Sequence, residues 1–193
     1  MTQLVEGGLR LTFPAGWQAL KFDDTSWHRQ RFGHHQAVDV LATHSGQHWW
    51  IEIKDCEGFE QDNRPRMSPA EPQEVEQART WVKSQGLESR VRLTRAKPFI
   101  IDELIEKLRS TLVSVLAAKR QGEAELQPYV AVFEQGMPFS VILLLTWDIA
   151  DFNRLAQRLQ QKLNRALLPY GLQGLVVNDL GRVVGLACQV SRI

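Results

Sequence analysis

The stretch AVDVLATHSGQHWWIEIKD, residues 37–55, contains two apolar segments separated by a short polar one. Residues 37–43 and 48–54 are rich in β-branched and aromatic side chains, which favours β-strands. The intervening HSGQ, residues 44–47, is typical of a tight turn, because serine and glycine readily take turn conformations. We therefore expect a β-hairpin here.

Charged side chains are placed regularly on this hairpin. Because successive side chains of a strand point to opposite faces, Glu52 and Lys54 share one face with Trp50, and the isoleucines between them face the other way. On the preceding strand, Asp39 lies between two valines and faces away from their apolar side. If residues 44–47 turn the chain, Asp39 and Glu52 lie on one face of the sheet.

Two carboxylates and a lysine in this arrangement suit phosphodiester hydrolysis. Mg²⁺ and Mn²⁺ take oxygen ligands, commonly one or two carboxylates with water and substrate phosphate, and Asp39 and Glu52 would supply the carboxylates. Lys54 would position the attacking water or bind the phosphate. The alternative is that all three are ordinary cross-strand charges on the polar face of a half-exposed hairpin.

Outside the hairpin, the apolar pattern changes from strands to helices along the chain. Short strands precede the hairpin, three amphipathic helices follow it, and the run FSVILLLTW indicates a strand buried on both faces. The predicted strands are 9–13, 17–22, 139–147, 174–177 and 183–190, and the predicted helices are 72–85, 101–120 and a helix that begins after Asp148. This order describes a mixed α/β or α+β fold, and we expect one domain over residues 1–193.

The spacing D-x12-E-x-K resembles the motif of the PD-(D/E)XK nuclease superfamily. The segments KFDDTSWHRQRFGHHQAVDVLA, WWIEIKD and EKLRSTLVSVLAA are similar to a bacterial branch of it. The resemblance implies a restriction-endonuclease-like fold, a mixed central sheet flanked by helices, and hydrolysis of nucleic acid. It also implies that Asp39, Glu52 and the backbone carbonyl of Ile53 bind Mg²⁺ or Mn²⁺, with Lys54 as the catalytic lysine.

Three features depart from the superfamily pattern. Val38 stands where the proline of the motif would be. Many members have another acid on an N-terminal helix, and no helix is predicted before this hairpin, so Glu6 or Asp23 would have to replace it. Two predicted helices, rather than one, precede the strand at 139–147.

Basic residues after the hairpin are candidates for contacts with nucleic acid. Arg90 and Arg92 alternate with apolar residues, which predicts a short strand with a basic face, and Lys97 follows closely. Lys107 lies one turn from Thr111 on the longest predicted helix, and the resemblance implies a polar residue on this helix that points at the site. The alternative for Arg90, Arg92 and Lys97 is an ordinary solvated charged surface. The alternative for Lys107 and Thr111 is the polar border of the helix.

The composition of the chain limits the kinds of partner that it can bind. The chain has 193 residues, is 44% hydrophobic and carries a net charge of +1, which excludes a wholly disordered protein and a strong long-range field. Its two cysteines, Cys56 and Cys188, do not form a disulfide scaffold, and its start lacks the pattern of a signal peptide. We expect a cytoplasmic protein that binds nucleic acid, DNA before RNA, and no membrane, either as a homodimer or with a protein partner.

Two functions from different classes remain open from the sequence. The first is a metal-dependent endonuclease or exonuclease. The second is an inactive nuclease-fold module for binding or assembly in a DNA-processing or defence complex, which the near-neutral charge and the missing helix-borne acid favour. An α/β scaffold unrelated to nucleases is a third reading, and it would place Asp39 and Glu52 on opposite faces of the sheet.

Overall fold

A computed structural model describes residues 1–134 and 139–193, and in these residues the fold is mixed α/β with two sheets. Their strands are β1 Thr2–Glu6, β2 Leu9–Phe13, β3 Gln18–Lys21, β4 Val40–His44, β5 Gln47–Asp55, β6 Phe139–Thr146, β7 Gln173–Val177 and β8 Gln189–Arg192. Their helices are α1 Ser26–Arg31, α2 Glu60–Asn63, α3 Gln73–Ser84, α4 Ile100–Gln121, α5 Gln127–Val130 and α6 Ile149–Leu167. No helix in these two parts of the chain is long and apolar enough to cross a membrane.

The central sheet has five strands in the order β3-β4-β5-β6-β7. Strands β3, β4 and β5 are antiparallel neighbours, whereas β5, β6 and β7 run parallel, so the sheet is mixed. The predicted hairpin is confirmed: Ser45 and Gly46 connect β4 to β5, with φ values of 50° and 77°. Two consecutive positive φ values define the turn type that matches the twist of paired strands.

Different layers cover the two faces of the central sheet. Ile51 and the side chains of β5 that share its face of the sheet pack against the three-stranded sheet β1-β2-β8. Trp50 points to the opposite face, is fully buried, and packs with α4 and α6 in a second cluster. The resemblance predicted a sheet flanked by helices, but helices cover one face and the small sheet covers the other.

Helix α4 connects β5 to the parallel strand β6 and packs on the helical face of the sheet. Along the apolar stripe of this helix, Leu104, Leu108 and Val115 are buried as expected. Leu116, which was expected in the same stripe, is exposed. By contrast, α3 buries only Val82. Of the two helices predicted before the central strand, α4 is therefore the one that packs against the sheet, and α3 is peripheral.

The strand predicted at 174–177 is confirmed as β7, whereas the strand predicted at 183–190 is largely wrong. Residues 183–190 were expected to form a strand, but only β8 forms, beginning at Gln189. Gly185 takes a φ of 81°, which interrupts extended backbone, and Val183 and Leu186 fill the core from a loop. An alternating apolar pattern thus reflects burial here without a strand.

A second wrong prediction concerns the segment around Arg90 and Arg92, which has no regular structure. Its backbone begins as a turn, in which the N–H groups of Arg90 and Val91 donate to the carbonyl of Leu87. In the described residues no strand pairs with this segment. The alternation of basic and apolar residues therefore does not produce a basic strand face.

Candidate functional site

Asp39 and Glu52 come together where β4 begins beside the middle of β5. Val40 pairs with Ile51, which places the preceding Asp39 beside Glu52. The Oδ2 atom of Asp39 accepts a hydrogen bond of 2.6 Å from the backbone N–H of Ile53. This contact fixes the Asp39 carboxylate against β5.

One ammonium group contacts both carboxylates. The Nζ atom of Lys107, on α4, lies 2.6 Å from Oε1 of Glu52 and 3.3 Å from Oδ1 of Asp39. Both carboxylates therefore face the helical layer. Lys54 contacts the same Glu52 oxygen from β5, at 2.7 Å. The structure thus brings Asp39, Glu52, Lys54 and Lys107 into one cluster.

Two residues that the sequence did not single out extend this cluster. Glu103, on the first turn of α4, accepts a hydrogen bond from Lys54 at 2.7 Å. The guanidinium of Arg66 forms an ion pair with the other oxygen of Glu103. The cluster therefore combines three carboxylates with three cations, and we call these six residues the carboxylate cluster.

Arg66 belongs to a 3₁₀ turn, Arg64–Met67, which we call the cover turn because its arginine closes the cluster. The guanidinium of Arg95 holds this turn by donating to the carbonyls of Pro65 and Ser68. Glu52 is fully buried, whereas the side chains of Lys54, Lys107 and Glu103 are 15%, 14% and 14% exposed. The accessible edge of the cluster therefore carries both signs of charge.

Thr111 anchors the segment that carries Asp39. Its hydroxyl accepts from the N–H of Val38 at 3.0 Å and donates to the carbonyl of Lys107 at 2.8 Å. Because Thr111 is fully buried, this pair of hydrogen bonds fixes the distance between the start of β4 and α4. It thereby fixes where Lys107 meets Asp39.

Burial dominates the electrostatics of the two central acids. It raises the pKa of Glu52 to about 7; the charge of Asp39 raises it further, and Lys54 and Lys107 oppose the rise. Burial also raises the pKa of Asp39, against the opposing charge of Lys107. For Lys107, burial acts to lower the pKa, but the two carboxylates outweigh it and raise the pKa to about 12.

The raised pKa of Glu52 predicts that stability falls as pH rises. The folded state holds the proton more tightly than the unfolded chain, so the contribution is fully present below pH 4.5 and is lost as pH passes through about 7. We expect the free energy of unfolding to fall by on the order of 3 kcal/mol over this window. Urea titrations in EDTA from pH 4.5 to 8 measure it, and Glu52→Gln should flatten the curve. An unchanged slope in the variant would contradict the prediction.

The other predicted nucleic-acid contacts do not join the cluster. Arg90 and Arg92 are exposed in the irregular segment after α3, and in the described residues neither pairs with a member of the cluster. Burial raises the pKa of the Cys56 thiol, and the charges of Arg66, Lys54 and Lys97 oppose this rise. Of the four predicted contacts, only Lys107 lies in the site.

The prediction that no helix precedes the hairpin is wrong, since α1 does. Asp23 lies just before it, and burial followed by the charge of Asp39 raises the pKa of Asp23. Its Oδ1 atom is buried with no hydrogen-bond partner in the described part of the chain. Glu6, the other candidate, forms an ion pair with Lys21 at 2.8 Å. Asp23 is therefore the better candidate for a further acid.

The chemistry of Asp39 and Glu52 fits a divalent cation. Their oxygens are hard donors, and Oε2 of Glu52 is buried without a hydrogen-bond partner among the described residues. Within residues 1–134 and 139–193, no three His, Cys, Asp or Glu side chains are grouped to hold a metal, so protein ligands would be this pair, with water or substrate completing the shell. Ile53 contributes its N–H to Asp39, and the role of its carbonyl stays a prediction.

Comparisons with protein-family models, curated proteins and solved structures find no match to this chain. The fold and the carboxylate cluster therefore define it: a mixed α/β protein with a buried cluster of acidic and basic side chains at the junction of a hairpin and a crossover helix.

Proposed function

We propose that this chain is a metal-dependent phosphodiesterase of the PD-(D/E)XK kind that hydrolyses nucleic acid. The observation that carries the proposal is the contact of one lysine ammonium, that of Lys107, with the carboxylates of both Asp39 and Glu52. Two separate acids of the D-x12-E-x-K pattern are thereby held together beside Lys54, as the proposed chemistry requires.

The topology around the cluster supports a restriction-endonuclease-like fold. The acids lie on an antiparallel hairpin, β4-β5, and the next strand of the sheet, β6, is parallel to β5 and is reached through α4. Because α3 is peripheral, α4 is the one long packed helix between these strands, followed by the short α5, and this agrees with the superfamily pattern.

Four residues of the cluster then have roles in the reaction. Asp39 and Glu52 would hold Mg²⁺ or Mn²⁺, which when bound lowers the pKa of water and neutralises charge on the phosphate. Lys54 donates hydrogen bonds to the phosphate oxygens or to the attacking water. Glu103 is a positioning residue, because it fixes Lys54 without facing the two acids.

The burial of the two acids sets a condition on this activity. A phosphodiester reaches Glu52 only if neighbouring side chains move, because Glu52 is fully buried. A divalent cation must also displace the ammonium of Lys107, which bridges the two carboxylates. Substrate and metal therefore compete with internal ion pairs.

The same ion pairs favour the second candidate function, an inactive nuclease-fold module for binding or assembly. Three carboxylates face three cations, so the formal charges of the cluster cancel without any metal. A satisfied buried network holds its parts in a fixed geometry whether or not it is catalytic. Metal binding separates the two functions.

Calorimetry with Mn²⁺ and cleavage assays together test the proposal. We expect the wild type to bind Mn²⁺ and to cut plasmid, single-stranded or branched DNA, or RNA, in Mg²⁺ but not in EDTA. Asp39→Asn removes one ligand and should weaken Mn²⁺ binding at least tenfold. Asp102→Asn, an exposed acid on α4, is the matched control and should bind like the wild type. Wild-type protein that binds no Mn²⁺ would refute the enzyme and favour the module.

A further inference from the structure

The exposed face of α6 is basic along most of its length. Arg154, Arg158, Lys162 and Arg165 are spaced by four, four and three residues, and all are exposed. At 3.6 residues per turn, these positions fall within an arc of about 80°. We call this row of four residues the α6 stripe.

The α6 stripe concentrates charge that the whole chain lacks. Helix α6 has four basic residues and one acidic residue, Asp151, a net charge of +3, whereas the whole chain carries +1. Asp151 pairs with Arg64 at 3.5 Å, and within residues 1–134 and 139–193 none of the four stripe residues forms an ion pair. Helix α3, by comparison, carries acids and bases together. Like charges left unpaired on one face repel one another, which a bound polyanion would relieve.

A cleft joins the α6 stripe to the cover turn. It is lined by Arg64 and Met67 of the cover turn, by Trp147, and by Asp151, Arg154 and Arg158 of α6. Arg66, from the same turn, points instead to Glu103 in the carboxylate cluster. The cover turn therefore separates an arginine-lined cleft from the proposed metal site.

The structure favours a phosphate backbone over a membrane as the partner. Phe152, Leu159 and Leu163 of α6 are buried in the core, so the described side chains of this helix leave no apolar face to enter a bilayer. The stripe extends about 16 Å along the helix. That length covers roughly five phosphates of one B-form strand, close to the number of stripe residues.

We propose that the α6 stripe and the cleft at Arg64 bind the phosphate backbone of nucleic acid and lead it to the cover turn. The route from the cleft to hydrolysis depends on the proposed function, whereas binding at the stripe does not.

Fluorescence anisotropy in EDTA tests binding separately from cleavage. The probes are a labelled 20-nucleotide single-stranded DNA, its duplex and the matching RNA, each from 50 to 200 mM salt. Arg158→Gln, Lys162→Gln and Arg165→Gln are combined in one variant. Arg10→Gln, Lys119→Gln and Arg120→Gln form the control, because they remove the same charge from exposed positions on other elements.

The stripe variant should lose at least tenfold in affinity at 100 mM salt. Its slope of log K against log salt should fall by about 2 for single strands and about 2.7 for duplex, since each lost phosphate contact removes roughly 0.7 or 0.9. The control should bind within twofold of the wild type. Equal losses in both variants, no binding by the wild type, or stripe-dependent binding to phosphatidylserine vesicles alone would overturn the proposal. Binding without cleavage would contradict only the proposed function.

Discussion

Lys54→Met should slow metal-dependent cleavage roughly a thousandfold. The ammonium of Lys54 lies between Glu52 and Glu103, 2.7 Å from an oxygen of each, and reaches the partly exposed edge of the cluster. Methionine keeps most of the length of the side chain but offers neither charge nor donors to a phosphate. Removal of one preorganised electrostatic contact typically costs a factor of 100 to 1,000 in rate. Single-turnover rates at saturating Mg²⁺ measure the effect.

Metal binding distinguishes a catalytic from a structural role for Lys54. If Lys54 acts on the phosphate or water, Lys54→Met keeps its affinity for Mn²⁺ within a few fold, because Asp39 and Glu52 remain. Lys119→Met, an exposed lysine near the end of the same α4, is the control and should cleave like the wild type. A Lys54→Met enzyme with more than a tenth of the wild-type rate would remove the lysine from the proposed mechanism.

The hairpin and its facing side chains could be predicted because their signals are local. Residues 44–47 contain the turn, and strict alternation assigns Glu52 and Lys54 to one face. The strand predicted at 139–147 also formed, since an apolar run of this length suits a position between two parallel neighbours. Where apolar residues lie in a loop, as at Val183 and Leu186, burial produced the same pattern without a strand.

The rest of the carboxylate cluster depends on tertiary contacts. Glu103, Lys107 and Thr111 repeat at intervals of four on α4, so a single helix face carries them, and that spacing was available as a signal for Glu103. Arg66 had no such signal, because it belongs to an irregular segment whose approach to Glu103 only the folded chain determines. The α6 stripe has the same helical spacing, but its importance comes from the absence of ion pairs in the described residues and from the adjoining cleft.

Lys107→Met should lower the free energy of unfolding by about 3 kcal/mol at pH 8. Loss of one partner from a buried ion pair commonly costs 3–5 kcal/mol, because the remaining charge is left uncompensated. We expect a loss at the lower end of this range, because Lys54 still contacts Glu52. The loss should shrink at pH 5.5, where Glu52, with a pKa near 7, takes up a proton and no longer needs the ammonium. Urea unfolding in EDTA at both pH values measures the change.

A double-mutant cycle identifies the origin of this loss. Glu52→Gln removes the buried charge that Lys107 neutralises, so Glu52→Gln combined with Lys107→Met should be more stable at pH 8 than the sum of the single changes predicts. Additive losses would mean that Lys107 acts by packing alone.

Because a divalent cation and the Lys107 ammonium neutralise the same two carboxylates, Mn²⁺ should raise the stability of Lys107→Met more than that of the wild type. Equal stabilisation of both proteins would place the metal away from Asp39 and Glu52.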